Sequence, residues 1–389
     1  MAGNWSFQTK LLHNKHKFDP FTKGVSVPIQ HASTFHQEDY DHPPTFDYAR
    51  SGNPTREALE EAIADLEGGT RGFAFSSGMA AISTAFLLLS KGDHVLVSED
   101  VYGGTYRMVA DVLTRFGIEH TFVNMTNLHE VATCIRPNTK VIYIETPSNP
   151  LLKVTDIQGI TKLAKANGCL TFVDNTFMTP AIQRPLELGA DIVLHSATKF
   201  LAGHSDVVAG LAVVKDEELG NKLYQLQNAF GAILGPQDCW LVLRGLKTLH
   251  VRLEQSSRTA FQLASFLRKH PAVRTVYYPG FHDHPGATIQ RYQADGAGAV
   301  LSFELESEEA VKALVSNVHI PVFAVSLGAV ESILSYPAKM SHAAMPKDER
   351  IKRGITDGLL RLSVGLENID DLKADFQYAL SRISERVHR

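Results

Sequence analysis

The strongest constraint in this sequence is a regular alternation between short, apolar, β-branched runs and amphipathic segments of helical period. Five of the apolar runs read "GFAF", "HVLV", "VIYIE", "LTFVD" and "DIVLH". Strands that are apolar at nearly every position are buried on both faces, as in parallel sheets whose connections are helices. The pattern therefore predicts an α/β fold with a large, mostly parallel sheet that helices cover on both faces.

Changes in composition and periodicity divide the chain into three regions. Residues 1–50 are rich in His, Pro and aromatic residues without periodicity, which indicates an ordered, irregular arm that must dock on another surface. A helix starts at Thr55, and a single long helix is predicted over 236–271, followed by a smaller α/β domain. Because 389 residues exceed one usual domain, we assign an arm at 1–50, a main domain at 51–247 and a C-terminal domain at 248–389.

Charge and cysteine content exclude several kinds of partner and compartment. The formal net charge is -4, which gives no electrostatic case for nucleic acid or an anionic membrane. No apolar run is long enough to span a bilayer, and the N-terminal segment has no apolar signal core. Cys134, Cys169 and Cys239 form no CxxC pair, so we expect reduced thiols in a cytoplasmic protein.

Two strands of the predicted sheet end in groups of opposite charge. Asp174 ends the run "LTFVD", and Lys199 follows "DIVLHSAT" together with the hydroxyls of Ser196 and Thr198. Because ligands gather at the carboxyl ends of parallel strands, we expect both charged groups in one crevice. From these two groups alone, a structural ion pair and a functional site are equally good interpretations.

Other stretches favour a phosphorylated aromatic ligand. "FSSGMAA" places serines and a glycine at a helix start, which suits a phosphate, although a plain N-cap explains it as well. Tyr48 and Arg50 offer a phenol and a guanidinium to a dianion, and Tyr102 offers a ring for stacking. Arg361 lies between apolar residues, where a cation is expected to meet a carboxylate. With a carboxylate for a ring nitrogen and an amine for an aldehyde, these groups describe pyridoxal 5'-phosphate (PLP).

Eight motifs resemble, in the same order, those of the Cys/Met-metabolism PLP-dependent enzymes of fold type I. They read "YxRxxNPT", "SSGMAAI", "YGGTYR", "ETPSNP", "DNTFxTP", "HSATKFLxGHSD", "SLGxVES" and "LxRLSVGLE". The resemblance covers nearly the whole chain, and the motifs are specific as a set although each alone is weak. It implies the fold of PLP-dependent transferases, with PLP as the cofactor and an amino acid as the substrate.

The resemblance also implies roles for single residues. Lys199 is then the Schiff-base lysine and proton shuttle, Asp174 the partner of the pyridine nitrogen, and Tyr102 the ring that stacks on the cofactor. The implied phosphate ligands are Gly78, Met79, Ser196 and Thr198, and, from a neighbouring subunit, Tyr48 and Arg50. The implied ligands of the substrate α-carboxylate are Arg361, Asn149 and Ser326. Members of the family are usually homotetramers of two dimers with shared active sites, which would explain an arm that must dock.

The reaction that the resemblance implies is β-elimination of L-cystathionine to homocysteine, pyruvate and ammonia, a carbon–sulfur lyase step of methionine biosynthesis. Val325 stands before the serine of "SLG", where cystathionine γ-synthase and γ-lyase typically carry a glutamate. Methionine γ-lyases typically carry a cysteine in the loop after the stacking tyrosine, where this chain has Gly103-Gly104-Thr105. Both positions count against the γ-enzymes, which stay open as alternatives.

Two interpretations from other classes also stay open. A PLP-binding protein without turnover would be expected to lack a chemical residue, yet the lysine, aspartate, tyrosine and arginine of the motifs are all present. A metal enzyme is suggested by 17 histidines and by His282 and His284 in "FHDHPG". Two histidines in a Pro/Gly loop are typical of a solvated surface, so we expect no metal. His195 and His204 are expected to make local hydrogen bonds.

Overall fold

The structure is a computed structural model that describes residues 5–13, 18–42, 44–343 and 345–387, without the side chains of 384–387. Within these residues the chain forms two sheets. None of the helices in this part of the chain combines the length and the apolar character that a membrane crossing requires.

The larger sheet has seven strands in the described residues, and they are β1 (Arg71–Phe75), β2 (His94–Ser98), β3 (Glu119–Val123), β4 (Thr139–Glu145), β5 (Leu170–Asp174), β6 (Ile192–Ser196) and β7 (Gly210–Val214). Their order across the sheet is β1-β7-β6-β5-β4-β2-β3. Strands β2 to β6 pair in parallel with one another, and β7 pairs antiparallel with both β1 and β6. The sheet is therefore mostly parallel, as the apolar runs predict.

The smaller sheet has five strands, β8 (Thr275–Tyr277), β9 (Val300–Glu304), β10 (Val322–Phe323), β11 (Ile333–Ser335) and β12 (Leu359–Ser363). Its order is β10-β11-β12-β9-β8, and only β10 and β11 pair in parallel among these strands. Arg361 lies at the centre of β12 and pairs with Ser335 and Ser302 on its two neighbours. The central strand of this sheet thus carries a residue of the predicted site.

The helices of the described residues are α1 (Phe7–Leu12), α2 (Pro54–Glu67), α3 (Gly78–Phe86), α4 (Gly103–Arg107), α5 (Leu128–Cys134), α6 (Ile157–Ala166), α7 (Thr179–Ile182), α8 (Glu217–Phe230), α9 (Pro236–Leu246), α10 (Leu249–Leu267), α11 (Ala287–Gln293), α12 (Glu308–Val315), α13 (Lys347–Lys352) and α14 (Ile369–Val387). A π-helical turn, Met108–Val112, continues α4, and single 3₁₀ turns cover Leu113–Phe116, Pro185–Leu188 and Pro337–Lys339.

Successive residues of the large sheet pack into different cores on its two faces. Val173 and Val193 belong to a cluster that includes Ile63 of α2. Phe172 and Leu194, one residue away on the same strands, belong to a second cluster that includes residues of α3. Side chains alternate between the faces of a strand, so a sheet that helices cover on both faces has mostly apolar strand interiors.

The prediction of one long helix over 236–271 is wrong, because α9 and α10 are separate helices. The chain leaves helical geometry at Thr248, which has φ −110° and ψ 5°. Arg252 of α10 donates to the carbonyl oxygens of Gly245 and Phe200, each at 2.8 Å. The break between the two helices is thus accompanied by a tertiary contact with the residue that follows Lys199. Helical periodicity in the sequence does not reveal such a contact.

Candidate active site

A cavity of about 450 Å³ lies at the carboxyl ends of β4, β5 and β6. Ten residues of the predicted site line it, namely Gly78, Met79, Tyr102, Asn149, Asp174, Ser196, Thr198, Lys199, Ser326 and Arg361. Tyr48 and Arg50 do not line it and are exposed on the surface of this chain. The motifs, which are scattered over the sequence, therefore converge on one place except for the two residues of the arm.

Lys199 lies in a tight turn after β6. Its backbone N–H donates to the carbonyl of Ser196 at 3.2 Å. Its Nζ donates to Oγ of Ser326 at 2.6 Å. Burial, and to a smaller degree the charge of Arg361, lower the pKa of Lys199 to about 8. A buried amine with such a pKa is partly neutral near physiological pH, so it can act as a nucleophile or a base.

Asp174 ends β5 and faces the same cavity without bonding to the lysine. Its Oδ1 accepts from the backbone N–H of Thr176 at 3.0 Å and from the Thr176 hydroxyl at 2.5 Å, and its Oδ2 accepts from the Tyr143 hydroxyl at 3.2 Å. Burial raises the pKa of Asp174. No Asp or Glu of the described chain forms an ion pair with Lys199. Asp174 and Lys199 therefore share the cavity without forming a structural ion pair.

Helix α3 begins at the wall of the cavity. Ser77 caps it by accepting the backbone N–H of Ala80 at 3.0 Å. A Cβ added at Gly78 would lie 2.9 Å from Cβ of Ser196, so only glycine lets the first turn approach β6 this closely. The free N–H groups of this turn and the positive end of the helix dipole suit an anion. The hydroxyl of Thr198 nearby already bonds to Ala209 through both its donor and its acceptor.

Tyr102 lines the cavity with 40% of its surface exposed, and a buried carboxylate holds its backbone. Oε2 of Glu145 accepts the N–H of Tyr102 at 2.8 Å, and Oε1 accepts the N–H of Asn149 at 3.1 Å. Burial, followed by the charge of Asp174, raises the pKa of Glu145. The sequence analysis missed Glu145, although it ends β4 as Asp174 ends β5, and the two pair in register. A polar residue at the end of a buried strand was the available signal.

Arg361 is buried on β12 and bonds only to neutral groups among the described residues. Its Nη1 donates to Oδ1 of Asn149 at 2.8 Å, and its Nη2 donates to the carbonyl of Ser326 at 2.5 Å and to Oγ of Ser335 at 3.1 Å. Burial lowers the pKa of Arg361 to about 10, and its Nε has no hydrogen-bond partner in that part of the chain. A buried guanidinium on a cavity wall that lacks a carboxylate contact fits an incoming carboxylate.

The loop with Ser326 couples the lysine to the arginine. Ser326 accepts Lys199 through its hydroxyl and Arg361 through its carbonyl, and its φ of 90° is strained for a residue with a side chain. A Cβ added at Gly328 would lie 2.6 Å from the backbone N of Phe200, so the loop packs directly on the lysine turn. This contact explains why "SLG" contains glycine, which also has a positive φ of 77°.

The structure adds residues to the cavity that the sequence analysis did not name as site residues. They are Ser77, Ile82, Arg107, Glu145, Pro147, Thr176, Phe177, Val208, Leu327, Ser335, Met340 and Ser341. His204 makes the expected local bond, to the carbonyl of Ala202 at 2.7 Å. The prediction of a local hydrogen bond for His195 is wrong, because His195 pairs with Glu67, which is 128 positions away. In the described residues no group of three or more His, Cys, Asp or Glu is arranged to hold a metal ion.

The residues present fit PLP on the evidence of their own contacts. The amine of Lys199 and the carboxylate of Asp174 share a cavity without pairing, and the start of α3 offers N–H groups beside them. The exposed face of Tyr102 offers a surface for an aromatic ring. Lys199 would hold the aldehyde carbon and Asp174 the ring nitrogen, while α3 and Ser196 would hold the phosphate.

Comparison with known proteins agrees with this fold and site. The family model for Cys/Met metabolism PLP-dependent enzymes matches residues 8–381. The chain therefore belongs to this family, whose cofactor is pyridoxal 5'-phosphate.

Individual relatives are similar over nearly their whole length. Cystathionine beta-lyase MetC of Bacillus subtilis (strain 168) is 74% identical over 381 residues, which is 98% of both chains. Cystathionine gamma-lyase of the same organism is 52% identical over 97% of this chain and 99% of its own. The crystal structure of cystathionine gamma-lyase from Lactobacillus plantarum complexed with L-serine superimposes with a TM-score of 0.95, at 48% identity, over 98% of this chain and 100% of that one.

Proposed function

We propose that this chain is a cystathionine β-lyase, which converts L-cystathionine into homocysteine, pyruvate and ammonia in methionine biosynthesis. The observation that carries the lyase chemistry is the arrangement of Lys199 and Asp174, which share one cavity but do not bond to each other. The choice of β-elimination is supported by the 74% identity to cystathionine beta-lyase MetC, against 52% to the cystathionine gamma-lyase of the same organism.

When bound, PLP supplies an aldehyde that condenses with amines and a protonated ring that takes up the electron pair released at the substrate α-carbon. Lys199, with its lowered pKa, takes the proton from that carbon and can return it. Asp174 keeps a proton on the ring nitrogen, because a cation beside this buried carboxylate favours its ionised form. Arg361 binds the substrate α-carboxylate and so orients the α-proton toward Lys199, whose Nζ shares Ser326 with the guanidinium.

Cystathionine carries a second amino-acid group at its far end, and the cavity wall offers Arg107 to the carboxylate of that group. Arg107 is exposed and lines the cavity beside Tyr102, at the end of α4. Val325 also lines the cavity and is 64% exposed, so it presents an apolar surface to the substrate chain rather than a carboxylate. Valine cannot pair with the distal ammonium of cystathionine and gives no partner to a polar γ-substituent.

A γ-lyase of the same family is the second candidate, because a cystathionine gamma-lyase structure superimposes with a TM-score of 0.95. Product analysis separates the two reactions. We expect the purified yellow protein to release pyruvate and homocysteine from L-cystathionine, and borohydride to fix the cofactor on Lys199. If 2-oxobutyrate and cysteine dominate, the β-lyase assignment is wrong, and if Lys199→Ala keeps normal turnover, the site itself is wrong.

We propose a homotetramer with active sites shared across a dimer, in which Tyr48 and Arg50 of one subunit reach the phosphate of the next. Their position on the surface, outside the cavity of their own chain, supports this arrangement. We also propose that the protein works in the cytoplasm. The thiols of Cys134, Cys169 and Cys239 are all free, which suits a reducing compartment.

A further inference from the structure

Behind the strand ends that carry Asp174 and Lys199 lies a buried polar cluster that the proposed chemistry does not use. The side chains of Glu67 and His195 are both 0% exposed, and Nε2 of His195 lies 2.7 Å from Oε1 of Glu67. The same Oε1 accepts Nδ2 of Asn175 at 3.0 Å. One carboxylate oxygen thus joins the residue that follows Asp174 to a residue four positions before Lys199.

The alternation of side chains places this cluster directly behind the catalytic groups. Asp174 pairs in register with Leu194 and bonds to Tyr143, in the core on the α3 side of the sheet. Neighbours on a strand point to opposite faces, so Asn175 and His195 point to the other face, where α2 ends in Glu67. A shift of either side chain therefore moves the backbone that carries a group of the cavity.

The cluster also reaches the end of a third strand. Asn175 donates to the carbonyl of Gln183 at 2.7 Å and accepts Nε2 of Gln183 at 3.0 Å. The same Nε2 lies 3.3 Å from the carbonyl of Thr146, which directly follows Glu145 at the end of β4. The ends of β4, β5 and β6 are thus connected through buried side chains that begin at Glu67.

Local structure and stability give little reason for a carboxylate at this position. Glu67 is the last residue of α2, where the negative end of the helix dipole disfavours a negative charge. Oε2 of Glu67 and Nδ1 of His195 have no hydrogen-bond partner among the described residues. Apolar side chains of similar volume could fill the space without leaving polar atoms unpaired, since replacing both partners of a buried polar contact in that way can be neutral or stabilising.

We propose that Glu67 is a positioning residue of the lyase, which acts through His195 and Asn175 to fix the spacing between the strand ends that carry Lys199 and Asp174. This inference rests on the proposed function and adds to it a residue that lies outside the cavity. Glu67 touches neither cofactor nor substrate, so its loss should change turnover and cofactor geometry rather than substrate binding.

The test compares three variants of the holoenzyme. Glu67→Leu removes the acceptor for both donors, whereas Glu67→Gln keeps an oxygen that can accept from His195 and Asn175. Tyr278→Leu is the control for a general loss of stability, because Tyr278 is buried in the core of the smaller sheet and its hydroxyl bonds to the carbonyl of Gly298 at 2.9 Å. For the folded fraction of each variant, kcat and KM for cystathionine, the visible absorption band and the borohydride-fixed cofactor are measured.

For Glu67→Leu we expect kcat to fall by about tenfold to a hundredfold with KM within about twofold, since small misplacements of reacting groups have effects of this size. Its visible band should change and its borohydride-fixed fraction should fall. Glu67→Gln should restore kcat to within about threefold of wild type, and Tyr278→Leu should lower only the unfolding midpoint. Wild-type kcat and absorption in Glu67→Leu, or an equal loss in Glu67→Gln, would overturn the positioning role. A wild-type protein that makes no pyruvate would instead reject the lyase function itself.

Discussion

At the scale of single residues, the proposed reaction requires Lys199 to be a cation in some steps and a neutral base in others. An exposed lysine is more than 99% protonated at neutral pH. Because burial and the nearby guanidinium of Arg361 lower the pKa of Lys199 to about 8, about a tenth of it is neutral at pH 7. The low pKa of Lys199 is thus produced by the same cavity that we propose as the substrate site.

This pKa predicts the pH dependence of turnover. As the pH falls below 8, Lys199 gains a proton and cannot accept the α-proton, so kcat should fall about tenfold per unit between pH 7 and pH 6. Steady-state rates of pyruvate formation from pH 6 to 9.5 at saturating cystathionine measure it. A kcat that stays constant from pH 6 to pH 8 would show that Lys199 does not limit the rate as the base.

Arg107 gives a prediction about specificity. Arg107→Leu should raise KM for cystathionine by about tenfold to a hundredfold, the range that a lost charge-assisted hydrogen bond produces. For S-methyl-L-cysteine, which has no second carboxylate, kcat/KM should stay within about twofold of wild type. Arg115→Leu, in the 3₁₀ turn that follows the π-helical turn and outside the cavity lining, is the control. Equal losses on both substrates would mean that Arg107 does not recognise the far end of cystathionine.

At the scale of elements, the sequence predicts what depends on local pattern. The order of strands and helices, the mostly parallel sheet and the convergence of Asp174 and Lys199 follow from apolar runs and from the position of polar residues at strand ends. The bond of Arg252 to Phe200, which accompanies the break between α9 and α10, and the bond of His195 to Glu67 join residues far apart in the chain. No local pattern encodes these contacts, which explains why sequence analysis missed them.

The start of α3 is the element that we expect to bind the phosphate, and Gly78 tests it. In Gly78→Ala the added Cβ would lie 2.9 Å from Cβ of Ser196, so the first turn must move away from β6. We expect cofactor affinity to fall at least about tenfold, since the N–H groups of the turn would no longer face the phosphate together. Gly235→Ala is the control, because Gly235 caps the start of α9 and an added Cβ there meets nothing within 4 Å. Fluorescence titration with PLP measures both, and equal affinities would contradict the role of the turn.

At the scale of the whole molecule, part of the N-terminal arm does not pack against the other described residues of its own chain. Phe21 and Tyr40 are 91% and 93% exposed, and Arg50 lies outside the cavity of its own chain, although its Nη1 bonds to the carbonyl of Asn228 at 2.7 Å. Exposed aromatic rings on an ordered arm are typical of surfaces that pack against another subunit. This arrangement would complete each phosphate site with a guanidinium from the neighbouring chain.

Mixing two inactive variants tests the shared site. Arg50→Leu and Lys199→Ala should each lose most activity in pure form, the first through weaker phosphate binding and the second through loss of the base. After joint dissociation and reassembly, a hybrid dimer contains one site with Lys199 intact and Arg50 supplied by the other subunit. Random pairing makes half of the dimers hybrid, so about a quarter of all sites should be active. Recovery of pyruvate formation near that level, absent when either variant is reassembled alone, is the expected result. No recovery in a verified mixed oligomer would show that Arg50 does not act in the active site of the neighbouring subunit.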